Sequence, residues 1–590
     1  MSKEKKQSNK LEIKRHSLAH VLAAAVLEMF PEAKFGFVPA IENGFYYDFE
    51  LPRTLIPEDL PIIQEKMKEI IKRNETFQKR VLPPEEAKEN FGKLNQSYKV
   101  ELIEDLEKEG YKEVTIYKLG NFIDLCSGPH LESAGEINAD SFKLTDISGA
   151  YWKGDESNPM LQRIYGIAFN DKKSLKKHLH QIEEAKKRDH RKIGKEMDLF
   201  VFSELVGSGL PLFTPKGAAI KEELQKYIES ICRRYGFEKV ITPHLAGIKL
   251  FETSGHAEKF SEELFRVTSK HKQNYALKPV QCPHQTQIYA SKARSYRDLP
   301  IRYMESEKQY RAEKPGEIGG LNRVIAITVE DGHSFCTIEQ AKQEIKNLVD
   351  NIKEFYSTFG LWGNQKVSLS VRDYQNPEKY IGDKRDWDKC EEMLQEISEE
   401  LNLDAQKQEG EAALYGPKLD FMFKDALGKE IQIPTIQLDF ATPKRFGLTY
   451  VNEKGEKVNP VMIHRAILGS YERFMALLIE HYAGKFPVWI APVQASVLPI
   501  SDKFNQYAQK VKQQLFEKGI RVEIDTSGES LGKKIAEATK QKTPYLLVVG
   551  EKEKESNSVA VRHRDGKKQE ALKVEDFLKK IEKEIKEKKS

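Results

Sequence analysis

At 590 residues the chain is long enough for several domains, each with its own core, and no apolar run approaches the ~20 residues of a membrane span. Its net charge is only +4, from 95 basic against 91 acidic residues, which excludes a polycationic surface; a nucleic-acid partner would need local basic patches. Five scattered cysteines (Cys126, Cys232, Cys282, Cys336 and Cys390) exclude a disulfide framework, and the polar start MSKEKKQSNK excludes a secretory apolar region, so the expectation is a soluble cytoplasmic protein.

Residues 1–10 read as a disordered tail. Residues 13–30 read as a helix with Ile13, Leu18, Val21, Leu22, Val26 and Met29 on one face, ending before Pro31. His16 and His20 stand i,i+4 on that helix and project to one side. Cys126-Ser-Gly-Pro-His130 then brings a thiol and an imidazole together on a turn. By spacing, HxxxH with CxxxH suits a four-ligand zinc site, or else two helix histidines and an unrelated turn. Residues 171–193 read as a basic linker helix with Leu175, Leu179 and Ile182 on one face. A helix over Glu222–Arg234 and a strand ending near Pro243 follow. Arg302–Cys336 has the strand, glycine loop, strand order of a hairpin, and it carries Arg311, Glu313 and Arg323. Guanidiniums in that setting can fork onto phosphate oxygens. No GxxxxGK[ST] segment occurs, which excludes the usual P-loop route to ATP. VSLSV (Val367–Val371) alternates as a strand. From Val488 the pattern becomes strand–helix–strand–helix, beginning with VWIAPVQASVLPI as a strand and ending in a helix with Phe577, Ile581 and Ile585 on one side.

RAE (311–313), MIHRAILGSYERF (462–474), KPVQCP (278–283) and GHSFC (332–336) resemble motifs of the threonyl-tRNA synthetase family of class II aminoacyl-tRNA synthetases, and the resemblance runs from His16 onward. It implies an α+β multidomain protein. The parts are a disordered tail (1–10), an N-terminal α+β editing domain (11–168), a linker helix (169–195), a class II antiparallel-sheet catalytic domain (196–487) and a C-terminal α/β anticodon-binding domain (488–590). HSLAH, NGFYYDF (43–49), SYKV, DLCSGPH and GAYWKGD resemble the editing domain, which hydrolyses mischarged seryl-tRNA; His16, His20, Lys99, Asp124, Cys126 and His130 line its pocket by resemblance. A related alanyl domain holds zinc on a similar quartet, whereas the threonyl version works without metal, and the latter is expected here. The small β-rich module that precedes this domain in most bacterial members has no room in this chain. Glu222–Arg234 with the following strand has the shape of the motif that builds the homodimer.

The resemblance further implies ATP-dependent activation of threonine and its transfer to tRNA(Thr), with Mg2+ accompanying ATP. Arg311 bridges the α-phosphate and the amino-acid carboxylate, Arg473 takes the γ-phosphate, and Glu313 and Arg323 position adenine and phosphates. Cys282, His333 and His464 supply one sulfur and two nitrogens for one Zn2+ with a fourth position open to the amino group and hydroxyl of threonine. Valine lacks the hydroxyl and is rejected strongly; serine differs by a methyl, worth roughly 1–3 kcal/mol, so editing is needed. Asp331 receives the ammonium, and Tyr415, Gln432, Thr435, Gln437 and Ser470 match other substrate and ATP positions. Glu553, Arg562 and Arg564 are the expected anticodon contacts. The chain departs from the family pattern at RVIAITVEDGH, where Ile325 and Val329 replace an arginine and a glutamine and Ile327 replaces the aromatic that stacks on adenine, and at CPHQ in place of CPGH. Two competing expectations remain: a different class II ligase such as the prolyl enzyme, and a catalytically impaired paralogue acting as an RNA-binding regulator.

Overall fold

A computed structural model describes residues 3–37, 40–41, 44–155, 157–424, 428, 430–566 and 569–588. Asn43 of NGFYYDF therefore lies outside the described residues, as do the first two residues of the expected tail. The chain forms two compact units, Met1–Glu183 and Glu184–Ser590.

The first unit is built round the helix Lys3–Met29. The expected tail is mostly helix: Lys, Glu and Gln dominate residues 3–10, and with no Gly or Pro among them the following helix extends backwards. Its middle is not one-faced either. Leu18, Ala19, Val21, Leu22, Ala23, Ala24, Ala25 and Val26 are all buried, as befits a helix enclosed by its own domain. It packs with Phe35, Phe45, Tyr47 and Phe49, residues of a five-stranded antiparallel sheet in which Gly44–Glu50 pairs with Met160–Ala168, and that strand in turn with Phe142–Tyr151. A three-stranded sheet, Gln78–Leu82, Val114–Leu119 and Phe122–Leu125, brings Asp124 to the same core. The expected linker helix is two helices, Lys172–Arg188 and His190–Glu196. Asp189 leaves helical backbone angles and its carboxylate accepts from Arg191 N at 2.8 Å, capping the second helix.

The second unit is dominated by an eight-stranded sheet in the order 238–239, 301–310, 326–336, 461–470, 430–439, 418–424, 366–371, 406–409. The two outermost pairings are parallel and the rest antiparallel. The helices Pro215–Arg234, Ile338–Thr358 and Tyr471–Tyr482 cover one face, burying Ile228, Ile345, Phe355 and Phe474 with Val461, Ile463 and Ile467 of the sheet. Successive strand residues point to opposite faces, so Met462, His464 and Ala466 are turned to the other side. A second, five-stranded sheet follows in the order 522–524, 495–499, 545–549, 558–563, 569–573, parallel in its first three strands. Its first strand in the sequence is only Ala495–Pro499; of the expected longer strand, residues 488–490 form a turn and 491–494 lie outside any strand. The helices Asn505–Glu517 and Val574–Glu587 pack on one face of it, and Leu531–Lys540 on the other. Among the described residues no helix is long and apolar enough to cross a membrane.

Candidate active site

The predicted hairpin is Ile301–Tyr310 and Ala326–Cys336, antiparallel with Tyr310 opposite Ala326 and Tyr303 opposite His333. On its other side Val461–Ser470 pairs so that His464 lies opposite His333, and His464 is opposite Gln437 in the next strand. A cavity of about 260 Å³ opens on the face that His464 and Ala466 share, beside the helix Cys282–Ala290.

One end of the cavity holds Cys282, His333 and His464, whose ligand atoms all lie within 4.8 Å of one another. Cys282 heads the helix Cys282–Ala290, and burial holds its thiol well above the usual range. Each imidazole has one nitrogen committed elsewhere. His333 Nδ1 donates to Gln285 Oε1 at 2.7 Å, and His464 Nε2 donates to Asp439 Oδ2 at 2.8 Å. That fixes the tautomers and leaves one unprotonated nitrogen per ring for a cation, the outer arrangement that metal-binding histidines use. Three ligands of this kind fit Zn2+ with an open position. Tyr415 stacks on His464 with ring centres 4.3 Å apart and donates to Gln437 Oε1 at 2.7 Å. Asp331 is 3.5 Å from Gln309 Nε2, and burial pushes its carboxyl up to about 7. Gln285 and Asp439 were missed as site residues. Gln285 stands in CPHQ and Asp439 two residues after Gln437, and pattern alone does not show which neighbour orients a ligand.

The other end gathers guanidinium groups. Arg311 lies just past its strand, with its backbone N–H on Ile325 O at 3.0 Å and Nε on Pro279 O at 3.3 Å. Arg473 is the third residue of the helix Tyr471–Tyr482, which Ser470 caps by accepting from Arg473 N at 3.2 Å. Its Nε donates to Asn322 O at 3.1 Å and one terminal nitrogen to Gln432 O at 3.3 Å. Burial first, then the charges of Arg311 and Arg323, hold the Arg473 pKa below its ordinary value. Such crowding of cations suits an anion. Glu313 does not stand alone: Arg323 Nε donates to it at 2.7 Å, and Arg323 also pairs with Glu317 at 2.8 Å.

Several expected residues are engaged in ways the motifs do not show. Gln432 is not in the cavity lining. Ile433 lines the cavity together with Thr435 and Gln437, while the Gln432 carboxamide donates to Asp420 at 2.5 Å beside a β-bulge between Asp420 and Met422. Of the three departures within RVIAITVEDGH, Ile327 and Val329 line the cavity, whereas Ile325 packs against Gly209, where a Cβ would come within 3.0 Å of its side chain. Arg564 is half-buried and donates to the carbonyls of Phe486, Lys485 and Lys542, a structural use that leaves little for RNA. Glu553 accepts from Gly550 N at 3.0 Å as part of a helix cap, and Arg562 is exposed.

In the first unit His16, His20, Cys126 and His130 converge, their ligand atoms within 4.8 Å of one another. Cys126 Sγ is 3.2 Å from His16 Nε2 and 3.3 Å from His130 Nε2. Phe77 stacks on the His130 ring and Tyr117 meets it edge-on. Lys99 and Asp124 form a buried ion pair at 2.6 Å, and Asp124 also accepts from Tyr47 OH at 2.7 Å and approaches His20 Nε2 at 3.4 Å. Burial keeps all three histidines below their ordinary pKa and pushes the Cys126 thiol up to about 12. The cluster is thus neutral at physiological pH and sits beside a fixed ion pair.

Family models match three stretches of the chain: the tRNA synthetase class II core domain (G, H, P, S and T) over residues 265–482, the anticodon binding domain over 494–584, and the threonyl and alanyl tRNA synthetase second additional domain over 114–165. A threonine–tRNA ligase of Gloeobacter violaceus is 46% identical over 571 residues, covering 96% of this chain and 91% of that protein. One from Clostridioides difficile is 47% identical, covering 98% and 89%. Among solved structures, the RNA binding domain of threonyl-tRNA synthetase from Cryptosporidium parvum Iowa II superposes with a TM-score of 0.64 at 35% identity, over 67% of this chain and 98% of that one.

Proposed function

The chain belongs to the threonine–tRNA ligase family, and from that membership we propose how its residues divide the work. The activity is ATP-dependent joining of threonine to tRNA with hydrolytic editing of the mischarged seryl product. The impaired-paralogue alternative finds no support, since relatives over nearly the whole chain are ligases.

In our reading residues 196–487 carry activation. The single observation behind this is the joining, in one cavity, of the Cys282, His333 and His464 trio with Arg311 and Arg473. Zn2+ on the trio would supply a Lewis-acid contact for the amino group and hydroxyl of threonine. Asp331 faces the ammonium, whose positive charge draws the buried carboxyl back to its ionised form. The Tyr415–Gln437 hydrogen bond holds the ring that braces His464. Arg311, between the two ends, grips the threonine carboxylate and the α-phosphate, so that a carboxylate oxygen attacks phosphorus as the bond to the pyrophosphate oxygen breaks. Arg473, with Mg2+, balances the charge that moves onto the leaving pyrophosphate. Ile327 and Val329 give the adenine an aliphatic wall.

Residues 11–168 carry editing. His16, His20, Cys126 and His130 bind the terminal ribose and orient a water against the ester, while Lys99 and Asp124 fix the ring of His20. The domain works without metal. Residues 488–590 bind the anticodon, with Arg562 and Glu553 as contacts. The active form is a homodimer: Val201, Phe202, Leu205 and Ile241 are exposed apolar residues flanking the helix Pro215–Arg234 and want a cover. The compartment is the cytoplasm. Pyrophosphate exchange with each amino acid tests the core of this reading. Exchange with threonine, weaker exchange with serine and none with valine is expected; equal exchange with valine would reject the role given to the trio.

A further inference from the structure

Among the described residues His190 is a buried imidazole, 5% exposed in its side chain, with both ring nitrogens committed. It stands at the start of the short helix after Asp189, far in sequence from everything it touches. Nδ1 lies 2.7 Å from Glu480 Oε1, and Nε2 accepts from Leu321 N–H at 3.1 Å. Leu321 N–H can only donate, so Nε2 is the bare nitrogen and Nδ1 carries the proton to Glu480. Fit to the loop is close: a Cβ at Gly320, where φ is +52°, would lie 2.3 Å from His190 Nε2. The loop is itself a tight closed turn, with Gly319 and Arg323 bridged and Asn322 N on Gly319 O at 3.0 Å.

Both partners lead to Arg473. Glu480 is on the Arg473 helix, two turns further on. Leu321 is followed by Asn322, whose carbonyl accepts from Arg473 Nε at 3.1 Å. The contacts thus close a ring from His190 through Leu321 and Asn322 to Arg473, along its helix to Glu480, and back. We infer that His190 is a positioning residue for ATP, which sets the Gly319–Arg323 turn against the Arg473 helix and so aims the Arg473 guanidinium into the cavity. The inference rests on the reading of Arg473 as an ATP-phosphate contact. His190 touches no reacting atom, and its effect reaches ATP only through the turn.

Two amides separate its two bonds. In His190→Asn the side-chain amide reproduces the Nδ1 position and keeps Glu480, but nothing reaches Leu321. In His190→Gln an oxygen reaches the Nε2 position and can accept from Leu321, while the backbone N–H of residue 190, 3.4 Å from Glu480 Oε1, keeps a tie to the Arg473 helix. Pyrophosphate exchange with ATP and threonine varied separately should show KM for ATP raised about tenfold in His190→Asn, the effect of one buried hydrogen bond lost. KM for threonine should be unchanged, and His190→Gln should stay within about threefold of wild type for ATP. A merely structural role would lower the active fraction, and so the apparent kcat, without moving KM for ATP. Equal KM for ATP in His190→Asn and wild type, or equal loss in the two variants, overturns the inference. Arg473→Ala run alongside keeps the cases apart. If it too has a normal KM for ATP, the phosphate reading of Arg473 has failed; if it alone is impaired, only the role of His190 has.

Discussion

Replacing Asp439 by Asn should detach a metal from this protein without touching a ligand. Asp439 is fully buried and both of its oxygens are in use. Oδ1 accepts from Ala441 N at 2.7 Å and Thr442 N at 2.8 Å, and Oδ2 accepts from His464 Nε2 at 2.8 Å. An asparagine there has one choice of orientation. Its oxygen must stay with the two backbone donors, because turning the amide group towards them would set N–H against N–H. The amide nitrogen then faces His464 and donates to Nε2, which forces the ring proton onto Nδ1, the nitrogen left for the metal. Binding must displace that proton and also does without the carboxylate that made the ring more basic. Loss of such a partner costs about 10–100-fold in metal affinity, or roughly 1.4–2.7 kcal/mol. The assay is zinc retention against a chelator of known affinity, read by metal analysis, with the melting temperature as a check that the cap on Ala441 and Thr442 survives. Threonine-dependent exchange should fall with zinc content and recover in excess zinc. Unaltered zinc affinity in Asp439→Asn would refute the tautomer argument and the assignment of His464 as a ligand.

Arg311→Ala and Arg473→Ala should each cut pyrophosphate exchange by about 10²–10³-fold while leaving the fold intact, as for other lost electrostatic stabilisers; a near-normal rate in either removes that arginine from the mechanism. His16→Ala with His20→Ala should leave threonine charging intact and let seryl-tRNA accumulate. Deacylation of preformed seryl-tRNA at the wild-type rate would show that the quartet is structural. Lys99→Met should strand the Asp124 carboxylate, 1% exposed, without its cation. Breaking a buried pair from one side costs about 3–5 kcal/mol, so unfolding of the first unit, followed by circular dichroism, should shift sharply; a change below 1 kcal/mol would mean the pair is dispensable.

What the sequence disclosed follows from how far each signal reaches. Period-two alternation and a glycine loop define the Ile301–Cys336 hairpin, and once two strands are in register their functional side chains share a face without further information. Cys282, His333 and His464 were legible for the same reason: they ride on elements whose type was clear. Gln432 was not, because its carboxamide is held by Asp420 of the neighbouring strand, a contact that spacing along one strand does not show. Arg564 is an ordinary basic residue in a charged stretch, and only the fold shows three carbonyls waiting for it. Residues 3–10 are helical rather than a tail for a different reason. Their charge suggested solvation, but charge does not oppose a helix that an apolar core has already started.

The pairing of Gly44–Glu50 with Met160–Ala168 also has a meaning in time. A ribosome delivers the enclosed helix first and the strand that pairs with Gly44–Glu50 more than a hundred residues later. At about 5–20 residues per second, the run from Leu18 to Val26 waits on the order of 10–30 s before the strand that completes its sheet has been made. During that interval the helix can already pack against Phe35, Phe45, Phe49 and the helix Asp59–Arg73, but one edge of Gly44–Glu50 has no strand to pair with. A nascent chain stalled before Met160 therefore displays an unpaired strand edge, which makes Gly44–Glu50 the natural place for a chaperone to hold the growing protein.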